Sequence, residues 1–379
     1  MFDVMRSARW WALVGVVTYT LLAASVLAAQ RGDPEWFVHF GSDPTRTQVT
    51  ELAKEVYGED VTTPNVDGHD GQAFWLLARD PLLLDTTEAD TYLDRPLYRS
   101  QRLLYPLLAA PFRLISDHAL IVGLIIVNLV SIALGAAATA RLAQQFGAHR
   151  WSPVAYLANP ATVTAVLLST ADALAITACL WGIVEILDGR DVRAGLWFAA
   201  TALAKEVLLV TALAMAVVMV ARGTPVRRAA IWLSPGIIAA VAWGTYIRTR
   251  LDETAADIQE ITVPFGGYIT AWRTQWSHFG DYEQMSVALL FLGLGLLALW
   301  RWITRGGILM WAAAPFAGLT LLFTKQVVGL STNIPRTVGP LLVLLLIDVT
   351  ASNHHVDVDA PAPLALLRSI WFRRSPADG

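Results

Sequence analysis

The chain has 379 residues, of which 55% are hydrophobic and only 16% charged, with 15 Trp and a formal net charge of −3. Soluble globular domains carry about 25% charged residues, so the composition excludes an ordinary soluble enzyme, and no nucleic-acid partner is expected. The single cysteine, Cys179, lies in an apolar run and permits no intramolecular disulfide.

Stretches apolar enough to span a bilayer, for which about 20 residues suffice, are expected at 10–29, 119–140, 153–169, 173–188, 194–205, 207–221, 229–247, 284–300, 308–323 and 336–349. The fifth and sixth are short and meet at the charged "AKE" of 204–206, which reads as a hairpin turning near one leaflet. The first span follows a basic stretch, but its apolar run is longer than a signal peptide's usual 7–15 residues, so it is expected to stay as an anchor. With the N-terminus inside, the inner segments are "MRSAR", "RLAQQFGAHR", "DGRDVR", "ARGTPVRR", "RWITRG" and the tail. They hold half of the 28 Lys and Arg but only about a quarter of the 31 acids. By the positive-inside rule both termini are then cytoplasmic and residues 30–101 lie outside. The expected fold is an all-α polytopic membrane protein of about ten transmembrane helices, a single domain over 1–350 with a disordered tail at 351–379.

Between the first two spans comes a large outer loop. Its first half is polar, with a short helix expected around "TQVTELAKEVYG"; its second half carries "GQAFWLLARDPLLL", where Phe74, Leu77 and Ala78 share a helical face beside Trp75. Such a helix is suited to lying in the membrane interface. "DRPLYRSQRLLYPLLAAPFRL" then brings Arg95, Arg99 and Arg102 close together. A second outer segment, 248–283, is aromatic-rich with a Gly-Gly break, and a third is "TKQVVGLSTNIPR" at 324–336. No internal repeat and no nucleotide-binding glycine pattern is present.

The residues suited to chemistry cluster on the same side. In "NVDGHDG" (65–71), which holds Asp67, His69 and Asp70, each aspartate is followed by a glycine that allows unusual backbone angles, so the loop is either an active-site loop or a solvated turn. Lys205 and Glu206 lie between two apolar runs. An ionisable group within a span costs roughly 2.5–3.5 kcal/mol on insertion scales and reads as functional by default; the alternative is a turn with a snorkelled lysine. Asp172, in "LLSTADALA", and Asn159, before Pro160, read as a turn residue and a kink residue. Arg336 opens the last span, as an anchor or a phosphate contact. Departure of a phosphate needs cations, which Arg and Lys supply, while an acceptor hydroxyl needs a base, for which a positioned carboxylate is suited.

Two motifs carry a resemblance. "DGQAFWLLARDP" (70–81) and "YRSQRLLYPLLA" (98–109), in order with "NP" at 159–160, "STAD" at 169–172, "LAKE" at 203–206 and the arginine before the last span, resemble multispanning glycosyltransferases of the C-type superfamily. The closer likeness is to a group of bacterial membrane proteins placed there by sequence. That superfamily uses polyprenyl-phosphate sugars, and its fold sets interfacial helices of the first outer loop over a lipid-carrier groove. The resemblance implies Asp70 as the catalytic base with Asp67 as second carboxylate, and Gln72, Arg99, Arg102, Lys205, Glu206 and Arg336 as the substrate-binding set. A divalent ion, Mg or Mn, would be held by Asp67 and Asp70, although two residues separate these where the superfamily's acidic pair is closer.

The expected function is inverting transfer of a sugar from a polyprenyl-phosphate carrier to a glycan, lipid or protein acceptor at the outer face of the cytoplasmic membrane. A lipid-linked-glycan flippase would place its charges at the bilayer midplane between repeated halves, and a non-catalytic subunit of envelope assembly is the third reading. A glycosidase pair of carboxylates is set aside, since a membrane-buried bundle is a poor scaffold for it.

Overall fold

The protein is seen in a computed structural model that describes residues 7–251, 261–277, 281–352 and 362–363. It is all-helical: among the described residues there is no β-strand, only two isolated bridges. The helices are α1 (Ala8–Ala29), α2 (Val49–Tyr57), α3 (Asp70–Arg79), α4 (Thr87–Tyr92), α5 (Pro96–Arg99), α6 (Leu104–Ala109) and α7 (Asp117–Gln145). There follow α8 (Val154–Leu157), α9 (Pro160–Leu167), α10 (Asp172–Leu187), α11 (Asp191–Lys205), α12 (Val210–Ala221) and α13 (Val226–Arg250). The last are α14 (Gly266–Ala271), α15 (Tyr282–Arg305), α16 (Ile308–Leu322), α17 (Lys325–Val328), α18 (Asn333–Thr337) and α19 (Gly339–Thr350).

Five helical runs are long and apolar enough to cross a membrane: Ala8–Ala29, Asp117–Gln145, Asp191–Ala221, Val226–Arg250 and Tyr282–Arg305. This apolar, multi-helix character marks a membrane protein. The third run is broken at Lys205, whose backbone is extended, and passes through a 3-10 turn, Glu206–Leu209. Arg228, at the start of α13, pairs with Asp191, at the start of α11. The chain therefore travels out along α11 and returns along α12, as the charged "AKE" leads one to expect. The expected span at 153–169 is likewise divided. Asn159 caps α9 by accepting the Ala161 N–H and donates to the Gly339 carbonyl at 2.8 Å. That bond ties the kink to the start of α19, so an amide that would be costly in an apolar core is satisfied on both sides.

The arginine-bearing turns gather at one end of the bundle. Arg141 and Gln145 of α7 meet Asp188 after α10, Arg190 pairs with Glu185 and Asp188, and Arg301 pairs with Asp348. Residues 30–116 form a cap at the opposite end. The expected tail, 351–379, falls almost wholly outside the described residues.

The cap has a hydrophobic core of its own, and here the structure corrects the sequence reading. Helix α3 does not lie amphipathically on a membrane interface: every residue from Gly71 to Ala78 is buried. A helix covered on every face is part of a core and does not lie on an interface. Trp75 donates its indole N–H to the Tyr57 hydroxyl at 2.8 Å, and Phe74 packs edge-on against Tyr105. Apolar residues left exposed on the cap include Leu84 and, where the chain enters α7, Leu114 and Ile115. Phe265, Ile269 and Trp272 are likewise exposed in the segment that follows α13. That segment begins later than expected, because α13 runs on to Arg250 and props the cap. Trp243 donates to the Ser100 carbonyl, Tyr246 to Leu82 and Arg250 to Leu83. Tyr105 fastens the cap to the bundle by donating to the Leu124 carbonyl and accepting from Asn128, which also donates to Ala165.

Candidate active site

The cap and the bundle meet around an unbroken chain of ion pairs. Arg99, on α5, uses Nε and Nη2 on Asp94 and turns Nη1 to Asp70 Oδ1 at 2.5 Å. The other oxygen of Asp70, Oδ2, takes Arg336 Nη2 at 2.5 Å, with Arg102 Nη1 3.7 Å away. Arg336 then reaches Asp172 Oδ2 through Nε at 2.6 Å, and Asp172 Oδ1 takes Lys205 Nζ at 2.8 Å. Lys205 closes the chain by donating to the Arg336 carbonyl at 2.7 Å.

Each member is held by local structure. Asp70 is the first residue of α3, where a carboxylate is favoured by the unsatisfied N–H groups of the helix terminus. The helix is brought in close because residue 71 is glycine. A Cβ there would come within 2.4 Å of the Leu168 carbonyl and 2.6 Å of the Val38 carbonyl, both backbone. Gly71→Ala is therefore expected to destabilise the fold by about 1–3 kcal/mol, the usual cost of overpacking, and to push Asp70 away from Arg336. Thermal unfolding checks this, and an unchanged midpoint would contradict it. Asp172 opens α10 directly after a turn in which Ser169 takes a left-handed φ of 45°. Non-glycine residues adopt that conformation at a cost and mostly where surrounding structure compels it. Thr170 also donates to Asp172, at 2.7 Å. Lys205 is the last residue of α11, and Arg336 lies in α18.

The electrostatics follow from this arrangement. Burial raises the proton affinity of Asp70, but Arg336, Arg99 and Arg102 outweigh it and hold the carboxyl well below the usual aspartate range. It is an ionised counter-ion and, so paired, a weak base. Asp172 is only 2% exposed and Lys205 6%. Charges so buried are tolerated because they are paired and hydrogen-bonded. Five cations (Arg95, Arg99, Arg102, Lys205, Arg336) face three carboxylates (Asp70, Asp94, Asp172), leaving an excess of positive charge.

The structure thus brings together Asp70, Arg99, Arg102, Lys205 and Arg336 from the expected set and leaves three members aside. Asp67 is largely exposed and pairs with Arg46, not with the cations around Asp70. Gln72 is buried in the cap, where its Oε1 accepts the Gly41 N–H at 3.3 Å and its amide packs beneath Gly68. It builds the wall of the site by holding loop to loop. Glu206 is exposed and acts on Arg102 across space without an ion pair among the described residues.

A divalent ion does not fit. Among the described residues no three His, Cys, Asp or Glu side chains converge as a metal site. Both oxygens of Asp70 already face guanidinium groups, and the cations around it would repel Mg or Mn, which needs several free oxygen donors. EDTA is expected to leave thermal unfolding unchanged, since removal of a bound ion would lower it through lost ligand binding; a lowered midpoint would contradict this.

Asp172 is the residue that sequence reasoning set aside, as a turn residue. The signal was present: an acid opening an otherwise apolar helix in a membrane protein is a functional candidate by default. Compared with protein-family models, characterised proteins and solved structures, the chain matches none of them.

Proposed function

We propose that the protein is a membrane glycosyltransferase that moves a sugar from a polyprenyl-phosphate carrier, with inversion, to a glycan, lipid or protein acceptor. The observation that carries this reading is the ion-pair chain with its excess positive charge, set where the cap meets the apolar bundle. A ligand suited to that place has a lipid tail and an anionic head. When the glycosidic C–O bond breaks, the carrier phosphate gains negative charge, and preorganised cations stabilise that charge most where it develops. Arg99, Arg102 and Arg336 can engage phosphate oxygens as planar forks and Lys205 as a point charge. Asp70 and Asp172 keep them aimed while the site is empty. In this reading the bundle has the about ten spans of the C-type glycosyltransferases, in the cytoplasmic membrane, with the cap on the outer face.

A flippase for lipid-linked glycans is the second reading. The helix breaks at Asn159 and Lys205 favour it, since broken helices line transporter sites. Against it, the charged chain is built from helix ends on the cap side, away from the centre of the bundle. The test is thermal unfolding in detergent with a short-chain polyprenyl phosphate and with the matching neutral polyprenol. The phosphate is expected to stabilise the protein, and Arg336→Ala to abolish the effect; equal stabilisation by the alcohol would overturn the phosphate site.

A further inference from the structure

Asp70, with both oxygens engaged by arginines, leaves the proton of an acceptor hydroxyl without an obvious destination. Beside it the cap holds a second cavity, of about 40 Å³, lined by Thr47, Asp67, His69, Gln72, Asp94 and Arg99. Arg99 also lines the smaller cleft formed with Asp70, Phe74 and Arg102. Its guanidinium therefore stands between a cationic side, suited to phosphate, and a side rich in hydrogen-bonding groups, suited to a hydroxylated acceptor. On that second side His69 is exposed, and among the described residues neither ring nitrogen has a hydrogen-bond partner. Its backbone is fixed: the N–H donates to the His39 carbonyl at 3.0 Å, and the ring lies edge-on to His39, 5.3 Å between centroids.

We propose that His69 is the general base of the transfer, taking the proton of the acceptor hydroxyl from the cavity on the far side of Arg99; this rests on the glycosyltransferase reading above. The acceptor oxygen forms its bond to the anomeric carbon, and its proton passes to the unprotonated ring nitrogen of His69. The bond from that carbon to the phosphate oxygen breaks, its electron pair leaves with the polyprenyl phosphate, and the imidazolium returns its proton to water through the open cavity.

The charged groups facing His69 are Asp67 and Asp70 on its own segment, His39 beside it, Arg336 from α18, and Arg46, Asp94 and Arg99 around the cavity. Partial burial lowers its proton affinity below the usual histidine value, with Arg336 acting in the same sense and Asp70 and Asp67 opposing. The lowered proton affinity favours the neutral ring, the form a base requires.

The experiment uses the full chain in liposomes with a radiolabelled polyprenyl-phosphate sugar that wild type turns over, across pH 5–9. His69→Gln is expected to lower kcat about 10²–10³-fold, within the range a general base contributes, with donor KM little changed. Wild-type kcat/KM should fall on acidification with an apparent pKa below the usual histidine value, and His69→Gln should lack that acid limb. Added imidazole should restore part of the activity of His69→Ala. A variant close to wild type in kcat, or a wild-type profile flat to pH 5, would overturn the role of His69. If His69→Gln loses its thermal transition, the wild-type acid limb and the imidazole rescue decide. Wild type inactive on every donor would instead overturn the transferase reading, and this inference with it.

Discussion

Asp70→Asn is expected to lower turnover of a lipid-linked sugar by about 10²–10³-fold, the loss typical when one preorganised element of a transition-state charge clamp is removed. The donor should bind at least as tightly as to wild type. The substitution conserves shape and leaves the buried start of α3 intact, so the protein should fold and insert. What changes is charge. Arg99, Arg102 and Arg336 lose the carboxylate that aims them, and three guanidiniums without their internal counter-ion attract a phosphate more strongly but hold it less well for the transition state. Loss of kcat without loss of binding separates this role from a merely structural one. Steady-state kinetics with binding by isothermal titration would check it; turnover within tenfold of wild type would refute it.

Asp172→Ala is expected to act on stability, by about 3–5 kcal/mol, the cost of stripping one partner from a buried ion pair. Asp172 answers both Lys205 and Arg336 and accepts from Thr170, so its loss leaves two buried cations under-compensated. Asp172→Asn, which keeps a hydrogen-bond acceptor, should fall between wild type and Ala. A double substitution with Lys205→Met, which removes charge from both sides, should recover part of the loss, since replacing a buried pair entirely by apolar groups is often neutral. Denaturant unfolding in detergent reads this, and a loss below about 1 kcal/mol for Asp172→Ala would contradict the account.

Much of this was legible in the sequence, for physical reasons. Apolar runs of bilayer length report helices regardless of context, and charged "AKE" amid such runs reported a reversal. Lys205 was identifiable because an ionisable group between apolar runs is costly unless used, whereas Asp70, Arg99, Arg102 and Arg336 were singled out through the motifs that carry the resemblance. The pairing itself was not legible: Asp70 meets Arg336 across 266 positions, and local pattern carries nothing about contacts so distant. Helix α3 was misplaced for a related reason. Its apolar periodicity with an aromatic flank reads equally as an interfacial face or as one side of a core, and only the packing of Tyr57, Tyr105 and the loop at 38–41 decides between them. Asp67 and Asp70 looked equivalent in "NVDGHDG", yet one turns to Arg46 in solvent and the other opens a buried helix.

The most direct test is turnover. Purified protein in liposomes, given a panel of radiolabelled polyprenyl-phosphate sugars with acceptor glycans and lipids, is followed by release of free polyprenyl phosphate. Release from one donor, dependent on Asp70 and indifferent to EDTA, is the predicted result. No release from any donor, together with movement of a labelled lipid-linked glycan between leaflets, would contradict it.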